Sequence, residues 1–199
     1  SSTFPGTIHL RGETLARVVE DLCISFARHG FRFIVFSNHH LDPMHIKGIH
    51  EGITRAQKEH DFQAIETGGR MIYSGMELRH HGAIRELGLD PMKEVHADVT
   101  ETSFILHRAP KILGNRHATL EPVWVDIGAQ AMQGHRTFDA MGATEGYIGS
   151  PAKATSALGV LHVEEGGELT ADFALKLHRG EAIPEIGPMM KQVIDVYTC

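Results

Sequence analysis

The chain has 199 residues, 42% of them apolar, which suffices for a single globular domain over 1–199 with a buried central sheet. Its formal charge of −6, with 19 Lys and Arg scattered among 25 acidic residues, supplies no basic field. That argues against nucleic acid and leaves small molecules as the expected partners. No apolar run approaches the roughly 18 residues of a membrane span, and no basic-then-apolar leader follows Ser1.

The only cysteines are Cys23, on the apolar face of a predicted helix, and Cys199 at the end of the chain. A stabilising disulfide is not expected, which fits a reducing cytoplasm. Fifteen histidines is high for this length, although abundance alone assigns no role.

In chain order, Leu15, Val18, Val19, Leu22, Cys23, Phe26 and Ala27 recur at three- and four-residue spacing, the stripe of a helix laid on a sheet, and Gly30 stops it. Phe31 to Phe36 is a short apolar run that reads as a strand, and His45 to His60 as a helix. A strand around Arg70–Tyr73 and a helix from Met76 to Leu87 continue the alternation. The pattern predicts an α/β domain, three-layered, with a mostly parallel sheet flanked by helices. Thr102 to His107 forms a further helix that Pro110 helps to end.

Residues 114–149, rich in Gly, His and Thr, read mainly as loop around a site or a subunit contact, with one strand-like run at Val123–Ile127. Pro151 is placed to start a helix that reaches about His178, with a break near Gly166 and Gly167, and a short helix follows at Pro188–Val196.

Between the first strand and its helix lies Ser37-Asn38-His39-His40-Leu41-Asp42-Pro43. Two imidazoles and a carboxylate thus converge at a strand end, where open α/β sheets bind ligands, and their nitrogen and oxygen atoms are what a divalent metal prefers. Asp42 directly before Pro43 is also a good helix N-cap, and one carboxylate serves only partly in both roles. His96 precedes Asp98-Val99-Thr100-Glu101, itself a capping-box pattern for the next helix. His45, His50 and His60 lack the four-residue spacing of paired helical ligands and, with His80 and His81, are expected at the surface. Gly146 to Gly149 lacks the Lys-Ser/Thr of a phosphate-binding loop.

The turn resembles the Asn-Gly-His-x-Glu-Asn element of the creatininase family of metal-dependent amidohydrolases, with Asn38, His40 and Asp42 at its Asn, His and Glu positions. Three more blocks follow the family's order: Phe4-Pro5-Gly6-Thr7-Ile8-His9-Leu10, His96 to Ser103, and Gly146 to Thr155. The resemblance implies a creatininase-like fold and two divalent ions, Zn²⁺ or Mn²⁺. It makes His40 and Asp42 metal ligands, His96 the residue that shuttles a proton, and Glu101 a member of the catalytic site beside it. The substrate would be a small molecule with a cyclic amide or related C–N bond, and the assembly a homo-oligomer, often a hexamer.

Asn38 is then a substrate or supporting residue, while His39, standing where the family has Gly, is a further ligand, a substrate contact or merely exposed. Val95 stands where the family often has an acid, with Glu94 one position further back, which argues against a creatinine-specific enzyme.

The resemblance begins at Phe4, and the family's upstream strand and Glu-x-His element, which supply further ligands, have no counterpart in this sequence. The expectation is a C-terminal chain of a processed precursor whose N-terminal companion completes the site; truncation would give the same sequence. Rival readings are a deformylase or peptide-maturation hydrolase of the same family, a non-catalytic structural or binding subunit, and an N-terminal nucleophile mechanism at Ser1.

Overall fold

The computed structural model describes residues 4–135 and 137–196. Ser1 and Cys199, named above, lie outside the described residues. Helices α1 (Gly12–Arg28), α2 (Pro43–Ala56), α3 (Gly68–Tyr73), α4 (Arg79–Glu86), α5 (Val99–Arg108), α6 (Pro110–Leu113), α7 (Ile127–Met132), α8 (Ser156–Arg179) and α9 (Pro188–Val196) accompany strands β1 (Phe33–Phe36) and β2 (Gln63–Glu66). The chain forms two compact units, one of Leu10–Met76 with Glu168–Cys199, the other of Ser1–His9 with Glu77–Gly167.

The first unit holds the sheet. β1 and β2 pair in parallel, with Ile34 opposite Ala64 and Val35 opposite Ile65. Because successive side chains point to opposite faces, each pair commits to one side. Ile34 and Ala64 pack with Val19 and Cys23 of α1 and Ile49 and Ile53 of α2, whereas Val35 and Ile65 pack with Met71 of α3 and Phe173 and Leu177 of α8. Helices therefore cover both faces, the three-layer arrangement that the alternation predicted. α1 and α2 come close because Gly52 has no side chain; a Cβ there would stand 2.4 Å from the carbonyl oxygen of Ala16.

The stripe on α1 is only half used. Val19 and Cys23 are buried, but Val18, Leu22 and Phe26 remain exposed, as do Phe31 just before β1 and Phe33 at its start. Among the described residues β1 pairs with β2 alone.

Three expectations need correction. Arg70–Tyr73 is helix α3, and the strand is Gln63–Glu66: a four-residue strand ending in an acid carries little apolar signal, while the Gly pair that follows starts a helical turn instead of closing a strand. α8 runs unbroken through Gly166 and Gly167, whose missing side chains cost propensity without breaking the hydrogen-bond ladder. Pro110 not only follows the end of α5 but starts α6, at the N1 position that suits its fixed φ.

The second unit centres on Ile84, Val99 and Leu158, from α4, α5 and the first turns of α8. Residues 114–149 contain α6's exit, a 3-10 turn at Arg116–Thr119 and α7, and Val123 contributes one antiparallel bridge, to Gly149. No helix of the described residues is long and apolar enough to cross a membrane.

Candidate functional site

β1 ends at Phe36, and the chain turns through Asn38 to Asp42 before α2 begins. Asn38 closes this turn on itself: its Nδ2 donates to the carbonyl of His40 at 2.9 Å, and its Oδ1 accepts the His40 amide at 3.0 Å. Tyr73 of α3 donates its hydroxyl to the Leu41 carbonyl at 3.0 Å, and burial together with the charges of Asp42 and Glu66 pushes that phenol up to about 12. Asp42 does cap α2, accepting the Met44 and His45 amides at 2.9 and 3.2 Å. Both bonds use Oδ1, so the capping role occupies one of the two carboxylate oxygens. His39, His40 and Asp42 are exposed.

His45 belongs here too, and not at the surface where its spacing placed it. Its Nε2 lies 3.1 Å from Asn38 Oδ1, and its ring meets the His40 ring edge-on at 4.9 Å. Burial, and then the neighbouring His40, lower its pKa below the usual histidine value, against a smaller pull from Asp42. At the third position of α2 it folds back over the turn, a contact that ligand-spacing arguments do not find.

His50 is also half-buried, and burial with nearby Arg70 and Lys47 brings it down to about 4. Glu66, the last residue of β2, carries no signal of its own in the sequence, because the expected strand lies seven residues further along the chain. It is fully buried, and its Oε1 accepts Asn38 Nδ2 at 2.8 Å.

The donor chemistry of this turn fits a divalent ion: one imidazole, His40, and one carboxylate, Asp42, whose capping bonds leave Oδ2 aside. It is a partial set. Among the described residues no group of three or more His, Cys, Asp or Glu converges as a metal would need.

In the other unit, His96 stands just before α5. Its backbone pairs with Ile148, N–H to O at 3.0 Å and the reverse at 2.8 Å. Its ring lies 5.0 Å from that of Phe138, and its Nδ1 lies 3.6 Å from Glu101 Oε2. Asp98 caps α5 through the amides of Thr100 and Glu101 at 2.8 and 2.9 Å, and the Glu101 carboxylate reaches back to accept the Ala97 amide. Ala97 is the one described non-glycine residue with positive φ, at 45°.

The capping arrangement read from Asp98 and Glu101 is thus realised, and the same Glu101 side chain also lies beside the imidazole. Glu94 accepts the Val99 and Ser150 amides at 3.1 and 2.8 Å, tying the helix start to the segment that bridges to His96. Burial, with Glu101 and Glu94 adding their charges, raises Asp98 to about 7, against the pull of its two amide bonds. Three of the four blocks quoted above meet in this unit: Phe4 against Gly146, His96 paired with Ile148, and Ser103 Oγ accepting the Thr155 amide at 3.0 Å.

His80 corrects the expectation of a surface residue. It is buried, its Nδ1 2.6 Å from Glu165 Oε2, and its ring packs edge-on with His81 at 4.6 Å and His162 at 4.9 Å. The adjacent His-His pair gave no hint of burial, because the acid that partners it lies 85 residues away.

A sequence model of the creatininase family, described as creatinine amidohydrolase, matches residues 1–173. Among solved structures, one of creatinine amidohydrolase (creatininase) superposes with a TM-score of 0.69 at 24% identity, covering 89% of this chain and 68% of that one. A mutant creatininase complexed with creatine gives 0.65 at 24%, covering 90% and 69%. A mutant of Zn-Zn type gives 0.68 at 23%, covering 89% and 69%. At these identities the likeness is one of fold. A search of curated proteins finds no match.

Proposed function

The chain belongs to the creatininase family, and from that premise we propose that it acts as a metal-dependent amidohydrolase on a cyclic amide or related C–N bond of a small molecule. The observation that carries this reading is the turn after β1, where the Asn38 side chain holds the backbone of His40 from both sides and Asp42 follows two residues later. That turn lies beyond the carboxyl end of a parallel strand, where α/β folds collect ligands.

His40 and Asp42 would hold the ion, of the Zn²⁺ or Mn²⁺ kind found in solved creatininases. When bound, such an ion polarises a carbonyl and lowers the pKa of water towards about 7. By the resemblance there are two ions. His96 carries the proton between the attacking water and the departing nitrogen. Glu101 Oε2 lies 3.6 Å from Nδ1, so a tautomer with its proton on that nitrogen would leave Nε2 as the exchanging atom. Asn38 orients the turn, and His39 stands beside it as a substrate contact.

The remaining donors come from outside the described residues. Two features support this: the two-donor set, and the exposed apolar residues Val18, Leu22 and Phe26 of α1 with Phe31 just before β1. A further strand would extend the sheet beside β1, and such units would assemble as a homo-oligomer, a hexamer by the resemblance. The buried free thiol of Cys23 is in keeping with a reducing cytoplasm.

Metal analysis and intact mass of the natively purified protein test the reading. Stoichiometric Zn²⁺ or Mn²⁺ is expected, and His40→Ala should strip the metal. Full metal occupancy in that variant removes the ligand assignment. Turnover of cyclic amides, formamides and peptides side by side identifies the bond cleaved.

A further inference from the structure

We infer that Glu66 is a positioning residue for the metal turn, acting through Asn38; the inference rests on the proposed role of His40 and names what aims it. Glu66 is 0% exposed, and among the described residues no Lys, Arg or His forms an ion pair with it. A buried carboxylate without a cation is costly unless its oxygens are well bonded. Here they are: Oε1 and Oε2 both lie 3.0 Å from the Gly69 amide, and Oε1 accepts Asn38 Nδ2 at 2.8 Å.

The approach is built into the chain by two glycines. A Cβ at Gly68 would stand 2.3 Å from the Asn38 carbonyl oxygen, and one at Gly69 would stand 2.9 Å from Glu66 Oε2.

The consequence lies in the polarity of the amide. A carboxylate only accepts, so Asn38 must turn its NH₂ towards Glu66. Its Oδ1 then faces the other way, where it accepts the His40 amide and meets His45 Nε2 at 3.1 Å. With the Asn38 amide reversed, an NH₂ would confront the His40 N–H and the turn would open. Glu66 thereby sets the conformation of His40 without touching it. A capping role for α3 alone would need only the Gly69 bond, and the bond to Asn38 is the one it leaves unexplained.

The test is a double-mutant cycle on the natively purified protein with whatever chain accompanies it. Zn²⁺ affinity is measured by competition with a chromogenic chelator, the visible spectrum is recorded with Co²⁺ in place of Zn²⁺, and the metal-free protein is melted as a control. In Glu66→Gln one carboxylate position becomes NH₂ and meets the Gly69 N–H whichever way the side chain turns. Zn²⁺ affinity should fall about 10- to 100-fold, the usual effect of losing a group that orients a ligand, and the Co²⁺ band should shift.

Asn38→Asp alone sets two carboxylates against each other and should also lose affinity. Combining the two restores a donor–acceptor pair of reversed polarity, so the double variant should bind Zn²⁺ at least about threefold more tightly than Asn38→Asp. The cycle compares folded proteins by spectrum and affinity, so a lower melting temperature does not imitate it. If Glu66→Gln binds Zn²⁺ within twofold of the native protein, or the two losses simply add, the proposal falls. His40→Ala separates the two levels: undiminished metal affinity there overturns the metal turn itself, whereas a loss there with a native-like Glu66→Gln overturns Glu66 alone.

Discussion

His80 Nδ1 and Glu165 Oε2 lie 2.6 Å apart, both side chains buried, joining the start of α4 to α8 within one unit. Glu165 also accepts the amides of Arg79 and His80. Burial works to raise its pKa, but those amides and the imidazole outweigh it, and the carboxyl sits below its ordinary 4.5. A lowered folded pKa contributes stability that is present above 4.5 and lost as pH falls through the folded value, because the unfolded chain then binds more protons. Glu165→Gln should accordingly flatten the acid limb of the stability profile in urea titrations from pH 6 to 3. His80→Ala, which leaves the carboxylate short of a partner, should cost about 2–4 kcal/mol at pH 7.

Asp98 has the opposite sign. Held at about 7 in the folded protein against an ordinary 3.8, it binds a proton more readily folded than unfolded. Its contribution to stability is therefore present below 3.8 and is lost as pH rises through 7. Asp98→Asn keeps an oxygen for the Thr100 and Glu101 amides and does not ionise. Denaturant unfolding at pH 4 and pH 7.5 should show the native protein losing stability relative to this variant between the two.

Removing His96 should separate chemistry from metal binding. His96→Ala is expected to lower kcat by about 10²- to 10⁴-fold, the range for a lost proton-transfer group, while metal content stays at the native level. A variant with native kcat assigns proton transfer elsewhere.

The crossing of α1 and α2 sets two effects against each other at one residue. Gly52→Ala gains roughly 0.5–1 kcal/mol of helix propensity, but its Cβ would stand 2.4 Å from the Ala16 carbonyl and 2.7 Å from Val19 Cβ. Because the nearest atom is backbone, overpacking of about 1–3 kcal/mol should win. Thermal unfolding should report a net loss of stability.

The elements with strong periodicity or sharp punctuation were legible from sequence. α1, β1, α2 and α9 fall where the stripe of Val19 and Cys23, the run ending at Phe36, Pro43 and Pro188 put them. The capping roles of Asp42 and Asp98 were legible for the same reason, since a cap is a local signal. What escaped was set by distant partners. Glu66 is 28 residues from Asn38 and Glu165 is 85 from His80, and no periodicity connects them. β2 was misplaced because a four-residue strand with one fully apolar position, Ile65, has too little pattern to compete with the Met71–Tyr73 run beside it.

Ala97 carries a consequence for selection. A left-handed alanine next to His96 is less comfortable by roughly 1–2 kcal/mol than a glycine there would be. Heat-resistant variants of this protein would therefore readily acquire glycine at 97. Each would gain stability from the freedom that loosens the aim of the neighbouring imidazole, so a screen for thermal survival alone would enrich sturdier and slower enzymes.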